Sequence, residues 1–230
     1  MKLLDDDWLI TITAIFNSVF ESSYPECWTE AKVFTIFKKG EKLQPSNYRG
    51  ISVLNALAKL YDSVLSARLQ LWYKPLEEQS GATKGRGCSE PILVIRLLID
   101  IARKTKKKLY ICFIDFEKAY DKVNRHELMK RLDSRGCGTK FLNALRSSYQ
   151  NTSGRIGTCN FTATAGVRQG ACSSCPLFTF LVDSVIEAIQ QVGEDDWLGD
   201  LHTQMLMDDT AIIATTRDMM KKKLDLLKES

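Results

Sequence analysis

Histidine is scarce in this sequence, and no apolar run is long enough to cross a membrane. Only two histidines occur among the 230 residues, and neither is near the one close cysteine pair, Cys172 and Cys175. A structural zinc site usually has four cysteine or histidine ligands, so a zinc centre is disfavoured. The longest apolar stretch is interrupted by Arg96, and the acidic run Asp5-Asp6-Asp7 stands where a signal peptide would be basic and then apolar. We therefore expect an intracellular protein, nuclear or cytoplasmic, with no signal peptide and no transmembrane segment.

The sequence also lacks a disulfide framework and a strong excess of charge. The seven cysteines are odd in number and scattered, which favours a reduced protein. The formal net charge is +4, with basic residues concentrated at 38–42, 103–108 and 221–223. Such clusters allow contact with phosphate groups, although each is also typical of a solvated loop or helix face. The hydrophobic content of 44% is enough for a core in one large domain or two small ones.

Apolar periodicity predicts a mixed α/β chain without internal repeats. Asn124 followed by Glu127 is typical of a helix start, and Gly136 of its end. The glycine-rich segment 79–88 lacks the Gly-Lys-Ser/Thr ending of a nucleotide-binding P-loop, so we interpret it as a flexible basic loop. The segments with helical spacing are 8–19, 57–72, 91–102, 124–132, 141–149, 176–189 and a basic one from about 217. The segments with β-like composition are 32–37, 47–52, 108–116, 155–165 and 202–214.

Two adjacent carboxylates, Asp208 and Asp209, lie between apolar runs that suit buried strands. The pattern predicts a hairpin with both aspartates at its turn. Two carboxylates at a tight turn repel each other, so we expect a divalent cation there, and magnesium suits such oxygen ligands. The other acidic runs, Asp5-Asp6-Asp7 and Asp195-Asp196, have polar neighbours and are interpreted as solvated surface.

Asp115 ends the nearly continuous apolar run 108–116, which is typical of a buried central strand. An ionised carboxylate in that position needs a partner, and neither sequence neighbour is basic. If this strand lies beside the hairpin of Asp208 and Asp209, three carboxylates converge. Such a cluster is typical of two-metal phosphoryl transfer, in which the ions activate a hydroxyl and neutralise the developing charge.

Four segments, taken in order, resemble the motifs of a reverse transcriptase, most of all those of non-LTR (LINE-type) retrotransposons. They are Asn-Tyr-Arg-Gly-Ile-Ser at 47–52, Ile-Asp-Phe-Glu-Lys-Ala-Tyr-Asp at 114–121, Gly-Val-Arg-Gln-Gly at 166–170 and Leu-Met-Asp-Asp at 206–209. The resemblance covers nearly the whole chain and implies an RNA-directed DNA polymerase that adds dNTPs to a primer 3′-hydroxyl. It implies an α/β (α+β) right-hand polymerase fold with fingers at residues 1–108 and palm at 109–230. The palm would hold a central antiparallel sheet backed by helices.

The resemblance also implies roles for individual residues. Asp115, Asp208 and Asp209 would be the catalytic carboxylates and the ligands of two magnesium ions, or of manganese in their place. Tyr120 would be the steric gate, whose ring fills the space that a ribose 2′-hydroxyl needs. The residues that would bind the incoming nucleotide are Lys38, Lys39, Arg49, Phe116, Tyr120 and Gln169. Those that would contact template or primer are Arg168, Gly170 and Met207.

The sequence departs from this resemblance at two points. Leu206 stands where an aromatic residue usually precedes the aspartate pair, which removes a ring that can support the primer end. The chain also ends at Ser230, soon after Asp209, so we expect a truncated palm and no thumb. The implied partners are an RNA template, a DNA primer and dNTPs, with a partner chain or a missing segment to supply the thumb. We expect no membrane partner.

Two other functions stay open at this point. A truncated retrotransposon remnant would be catalytically idle and would at most bind nucleic acid through the basic loops. A different metal-dependent phosphotransferase would use the same carboxylates, but it would leave Tyr120 and the segment 166–170 unexplained. Primer extension separates the polymerase from the remnant, and a test of primer against nucleoside substrates separates it from the phosphotransferase.

Overall fold

A computed structural model describes residues 5–229, which form eight α-helices and seven β-strands. The helices are α1 (Asp6–Glu21), α2 (Ala56–Trp72), α3 (Ser89–Thr105), α4 (Ala119–Lys122), α5 (Arg125–Ser134), α6 (Thr139–Tyr149), α7 (Ser174–Gln190) and α8 (Arg217–Glu229). The strands are β1 (Glu30–Phe37), β2 (Tyr48–Val53), β3 (Tyr110–Ile114), β4 (Ser153–Ile156), β5 (Cys159–Thr162), β6 (Thr203–Leu206) and β7 (Asp209–Ala214). In this part of the chain no helix is long and apolar enough to cross a membrane.

The chain divides into two compact units, and each is assembled from two separate stretches. The first unit contains the chain up to Trp72 together with Tyr120–Ser174. The second contains Tyr73–Ala119 and the chain from Cys175 onward. These units are defined by compactness and not by role, so the fingers and palm regions expected at 1–108 and 109–230 stay a prediction.

The first unit contains a four-stranded mixed sheet in the order β2-β1-β4-β5. β1 and β2 form the antiparallel pair that the sequence predicts, with Phe34 opposite Ile51. β1 also pairs with β4 in parallel, and β4 returns as β5. The antiparallel pair ends at Phe37 opposite Tyr48, so the basic loop after Phe37 is at the tip of this pair.

Aromatic side chains form the packed centre of the first unit. Phe16 of α1 meets Tyr61 of α2 edge to face, with ring centroids 5.3 Å apart, and Trp28 meets both rings. Tyr61, Leu65 and Leu69 recur at helical spacing and are buried, which is why α2 presents one apolar face to this cluster. Rings of this size remove large apolar areas from water and so stabilise the unit.

The second unit contains a three-stranded antiparallel sheet in the order β3-β7-β6. This confirms the predicted antiparallel sheet around the strand of Asp115 and the hairpin of Asp208. The central strand, however, is β7, whose residues 211–214 are all buried. The prediction that 108–116 is a buried central strand is wrong, because β3 is an edge strand and Phe113 is 73% exposed. An apolar run identifies a strand but does not fix its place in the sheet.

Local signals fix several helix ends as the sequence predicts. The Asn124 side chain accepts hydrogen bonds from the backbone N–H groups of His126 and Glu127, at 3.0 and 3.2 Å, and so caps α5. Gly136 follows α5 in the left-handed conformation, with φ +79°. Asp5 caps α1 in the same way, because its side chain accepts from Trp8 N at 3.0 Å.

Candidate active site

The hairpin of β6 and β7 presents the two adjacent carboxylates of the second unit. Leu206 pairs with Asp209, so Met207 and Asp208 form a two-residue turn and Asp209 begins β7. Met207 adopts a left-handed backbone conformation with φ 61°. Asp208 is half-buried and Asp209 is exposed. The structure therefore confirms the predicted hairpin, with one aspartate in the turn and the other just after it.

β3 brings a third carboxylate to the same end of this sheet. Ile114 lies opposite Thr210 in the antiparallel register of β3 and β7. Asp115 directly follows Ile114, and Asp209 directly precedes Thr210, so both carboxylates lie at this end of the strand pair. Asp115 is exposed, and Phe116 after it is half-buried. The strands of Asp115 and Asp209 are therefore neighbours, as the convergence of the three carboxylates requires.

The donor chemistry of this group suits a divalent cation, but the residues do not form a closed ligand set. Carboxylate oxygens are the ligands that magnesium and manganese prefer. Among residues 5–229, however, no three His, Cys, Asp or Glu side chains are grouped so that they could hold a metal ion. The strand order and the carboxylate donors are those that the expected three-ligand cluster requires. The convergence of the three side chains on an ion stays a prediction.

In the first unit, backbone hydrogen bonds hold the segment 166–170 against the chain around Tyr120. Val167 N donates to Tyr120 O at 2.9 Å, and Gly166 N donates to Val123 O at 2.8 Å. A Cβ on Gly166, whose φ is +80°, would lie only 2.7 Å from Asp121 O. Only glycine combines this backbone angle with so close an approach. Tyr120 itself is half-buried.

Gln169 and Gly170 connect this segment to the edge of the four-stranded sheet. Gln169 Nε2 donates to Asp121 Oδ1 at 2.8 Å, and Ser52 N of β2 donates to Gln169 O at 2.8 Å. Gly170 has φ +119°, and a Cβ there would clash with Ser52 O. Within the first unit, a cavity of about 620 Å³ is lined by Asp121, Gln169 and Ser52 among others. Gln169 is therefore held at the wall of a cavity.

Arg168 is engaged inside the first unit. Its guanidinium donates to Ser148 O and lies over the rings of Tyr24 and Tyr149, at 5.7 and 5.6 Å from their centroids. Such contacts combine hydrogen bonding with cation–π attraction. The structure gives Arg168 a packing role, and its contact with a template stays a prediction.

The predicted phosphate-binding residues lie near the tip of the β1–β2 pair. Lys38 and Lys39 directly follow β1, and both are exposed. Arg49 is an exposed residue of β2 opposite Ile36. Lys38 N donates to Asn47 O at 2.8 Å, which closes the loop and keeps these three cations at one end of the pair. The three cations thus lie at the same end of the β1–β2 pair, as the sequence predicts. Their binding of nucleotide stays a prediction.

Arg125 is a functional candidate that the sequence reasoning missed. It donates to three carbonyl groups of the chain leading into segment 166–170, those of Ala163 (2.7 Å), Ala165 (3.1 Å) and Gly166 (2.8 Å). Burial lowers the pKa of its guanidinium. A single side chain that donates to several carbonyl groups of one segment holds that segment in place. Its partners are about 40 positions away in the sequence, so no local pattern indicates this role.

The second acidic pair of the second unit is not the solvated surface that its polar neighbours predict. Asp195 is buried and pairs with Lys223 of α8, with Nζ and Oδ2 2.7 Å apart, and Thr215 Oγ1 also donates to it. Burial alone would raise the pKa of Asp195, but the hydrogen bonds from Lys223 and Thr215 outweigh it, so the pKa is lowered. The interpretation of Asp195 as solvated surface is wrong, because Asp195 and the buried Lys223 of the 221–223 cluster supply each other's counter-charge.

Comparisons with known proteins bear on the family of the chain. The family model described as "Reverse transcriptase (RNA-dependent DNA polymerase)" matches residues 36–230. The Pol polyprotein of the type-1 retrotransposable element R2 of Popillia japonica is 26% identical over 167 residues, covering 72% of this chain and 24% of that protein. The transposon TX1 149 kDa protein of Xenopus laevis is 30% identical over 158 residues, covering 65% of this chain and 12% of that protein. The chain thus spans a quarter or less of these relatives.

Solved structures show the same fold. The structure of apo telomerase from Candida tropicalis, truncated from its C-terminal domain, matches with a TM-score of 0.61. The match covers 97% of this chain and 52% of that chain, at 14% sequence identity. At this identity the likeness concerns the fold, and it agrees with the right-hand polymerase architecture that the motifs predict.

Proposed function

Because the chain belongs to the reverse transcriptase (RNA-dependent DNA polymerase) family, of the non-LTR retrotransposon type, we propose that it adds dNTPs to a primer 3′-hydroxyl on an RNA template. The observation that supports this proposal is the register of β3 and β7, which pairs the strand ending just before Asp115 with the strand of the Asp208 and Asp209 hairpin. Adjacent carboxylates at the end of a packed sheet suit phosphoryl transfer, in which positioning and charge neutralisation supply most of the rate.

Asp115, Asp208 and Asp209 would hold the divalent ions of this reaction. Bound magnesium or manganese would lower the pKa of the attacking hydroxyl and neutralise charge on the transferred phosphoryl group. The chain's own contribution would be to bring the three carboxylates together from the ends of paired strands, so that little reorganisation would be needed when the substrate binds.

In this proposal the nucleotide is selected by side chains after β3, at the tip of the β1–β2 pair and in segment 166–170. The half-buried ring of Tyr120 would exclude a ribose 2′-hydroxyl, next to Phe116 in the same stretch of sequence. The exposed cations Lys38, Lys39 and Arg49 would bind the triphosphate. Gln169, which Asp121 orients, would contact the nucleotide.

Template and primer contacts are proposed for Arg168, Gly170 and Met207. Gly170 approaches the backbone of β2 and Met207 precedes Asp208 in the turn. The half-buried Leu206 packs where an aromatic ring would otherwise support the primer end. Template, primer and dNTPs are therefore the partners that this function requires, and a thumb supplied by another segment or chain would hold the duplex.

The test is primer extension on an RNA template with magnesium and dNTPs, comparing the chain with its Asp208→Asn variant. We expect extension by the unaltered chain and a loss of about 10³-fold in the variant, because a ligand that stabilises the transition state is worth several kcal/mol. Asp196→Asn, a neutralisation in the other acidic pair, is the matched control and should extend normally. A folded chain that extends no primer, even with a candidate thumb fragment added, would favour the idle remnant.

A further inference from the structure

In the second unit, the segment 78–81 pairs with β6 along the edge that does not face β7. Ser80 N donates to Met205 O, and Met205 N donates to Glu78 O, both at 2.9 Å. Gln79 and Ser80 are buried, with 0% and 1% of their surface exposed. The interpretation of 79–88 as a flexible basic loop is therefore wrong for its first residues, because backbone hydrogen bonds hold them beside the hairpin.

The side-chain amide of Gln79 forms hydrogen bonds with both backbone polar groups of Met207. Met207 N donates to Gln79 Oε1 at 2.9 Å, and Gln79 Nε2 donates to Met207 O at 3.3 Å. Oε1 also accepts from Gly81 N at 2.7 Å. Both the oxygen and the nitrogen of this buried amide have hydrogen-bond partners. Removing the amide would leave buried backbone groups without a partner, which costs free energy because these groups have already lost their contact with water.

The turn that Gln79 holds is one that needs support. Met207 has φ 61°, a left-handed conformation that costs a non-glycine residue of this kind about 1 kcal/mol or more. Such a conformation persists where the surroundings fix it. Here Gln79 fixes both backbone polar groups of Met207, the residue directly before Asp208.

Gly81 brings the same segment into direct contact with the turn. A Cβ at this position would lie 2.5 Å from Met207 N and 2.5 Å from its sulfur. Real side chains do not approach a backbone nitrogen this closely, so the segment and the turn fit together only with glycine here. Two residues of one segment, Gln79 and Gly81, therefore determine the position of Met207.

We propose that Gln79 is a positioning residue for Asp208, which holds the Met207–Asp208 turn in the geometry that nucleotide addition requires. This inference rests on the proposed function for its kinetic consequence. Its structural content, that the Gln79 amide fixes the turn, is independent of whether the chain is active.

Gln79→Met is the variant that tests this role, because methionine has nearly the same length and keeps the apolar contacts but lacks the amide. Gln191→Met is the matched control, since Gln191 is exposed and follows α7. In steady-state primer extension we expect kcat to fall by about 10²-fold in Gln79→Met, as for a displaced catalytic group. KM for the dNTP should change by less than about twofold, because the nucleotide-binding residues are untouched.

Hydrogen exchange of the 15N-labelled chain, followed by NMR, tests the same role without activity. The Met207 amide should exchange roughly 5- to 10-fold faster in Gln79→Met, as expected for one lost hydrogen bond. The amides of Ile212 and Ile213 in β7 should stay as protected as in the control. Gly81→Ala, which displaces the turn by contact, should have the same two effects.

The outcomes separate this inference from the proposed function. Unchanged Met207 exchange in Gln79→Met, or an equal loss of kcat in Gln191→Met, would overturn the positioning role. A rise in KM with kcat preserved would do so as well. If the unaltered chain extends no primer but Met207 exchange rises as expected, the polymerase proposal fails while the holding of the turn by Gln79 stands.

Discussion

The second unit contains two pairs of adjacent aspartates, one with polar sequence neighbours at 195–196 and one between apolar runs at 208–209, and they differ in how their charge is compensated. Asp195 is buried, and its counter-charge is Lys223, 28 positions later in the sequence. Asp208 is half-buried and Asp209 exposed, and within residues 5–229 neither forms an ion pair with lysine or arginine. The 195–196 pair therefore has a lysine of the same chain as its counter-ion, whereas the carboxylates of the 208–209 pair are accessible to a ligand at the hairpin.

This difference teaches that sequence context can indicate a functional acidic pair at a hairpin, whereas only the fold shows that Asp195 has a structural role. A buried carboxylate needs a partner within the protein, because burial of an uncompensated charge is costly. Carboxylates that are kept at an exposed turn without such a partner gain nothing from packing and are free to bind a cation. The following predictions test whether the two pairs really differ in this way.

The largest effect on stability should come from Lys223→Met. This change leaves Asp195 buried without its counter-charge, so we expect the free energy of unfolding to fall by about 3–5 kcal/mol. Urea unfolding measures the difference. Lys222→Met, one residue earlier and exposed, should change it by less than about 0.5 kcal/mol.

A double variant distinguishes charge burial from lost packing. Lys223→Met combined with Asp195→Leu removes both charges, and we expect it to recover much of the loss, because buried ion pairs can often be replaced by apolar residues. Equal unfolding free energies for Lys223→Met and Lys222→Met would show that the two acidic pairs do not differ as described.

Asp183 sharpens the comparison, because it is buried and forms no ion pair with a lysine or arginine among residues 5–229. Tyr73 and Leu76 donate to its Oδ2, while within the described residues Oδ1 has no hydrogen-bond partner. Burial raises the pKa of Asp183 to about 7. A raised folded-state pKa means that this group's contribution to stability is fully present below its unfolded pKa of 3.8 and is lost as the pH rises through about 7.

Asp183→Asn, which does not titrate, should therefore gain stability relative to the unaltered chain as the pH rises. From pH 5 to pH 8 the difference in unfolding free energy should move by about 2 kcal/mol in favour of the variant. Urea unfolding at several pH values measures it. A difference that stays constant over this range would mean that Asp183 is ionised throughout.

The smallest effect should come from Asp5, at the start of the third acidic run. Asp5→Ala removes the side chain that caps α1, so we expect a loss of about 1 kcal/mol in unfolding free energy. Asp5→Asn keeps the acceptor for Trp8 N and should cost only a few tenths of that, about 0.3 kcal/mol. If both variants lose the same amount, the charge and not the cap accounts for the effect.

The sequence predicts the features that depend on neighbouring residues. The hairpin of Asp208 and Asp209, the β1–β2 pair and the cap at Asn124 are all confirmed, because turn geometry and capping are set within a few residues. The motif order was also sufficient to indicate the family, which the match over residues 36–230 bears out.

The features that the sequence did not predict depend on distant partners. Arg125 binds carbonyl groups about 40 positions away, Gln79 binds Met207 across 128 positions, and Lys223 pairs with Asp195 across 28. Local composition carries no signal for such contacts, since only the packed fold brings these residues together. The same reason explains why β3 proved to be an edge strand although its run is apolar.

The most direct test of the central claim is a manganese titration of the folded chain, followed by electron paramagnetic resonance. The account predicts that the unaltered chain and Asp196→Asn bind Mn²⁺ equally, whereas Asp208→Asn binds it at least about tenfold more weakly, because a carboxylate ligand is lost. Equal affinity in Asp208→Asn and the unaltered chain, or an equal loss in Asp196→Asn, would contradict the assignment of the hairpin carboxylates as the functional pair.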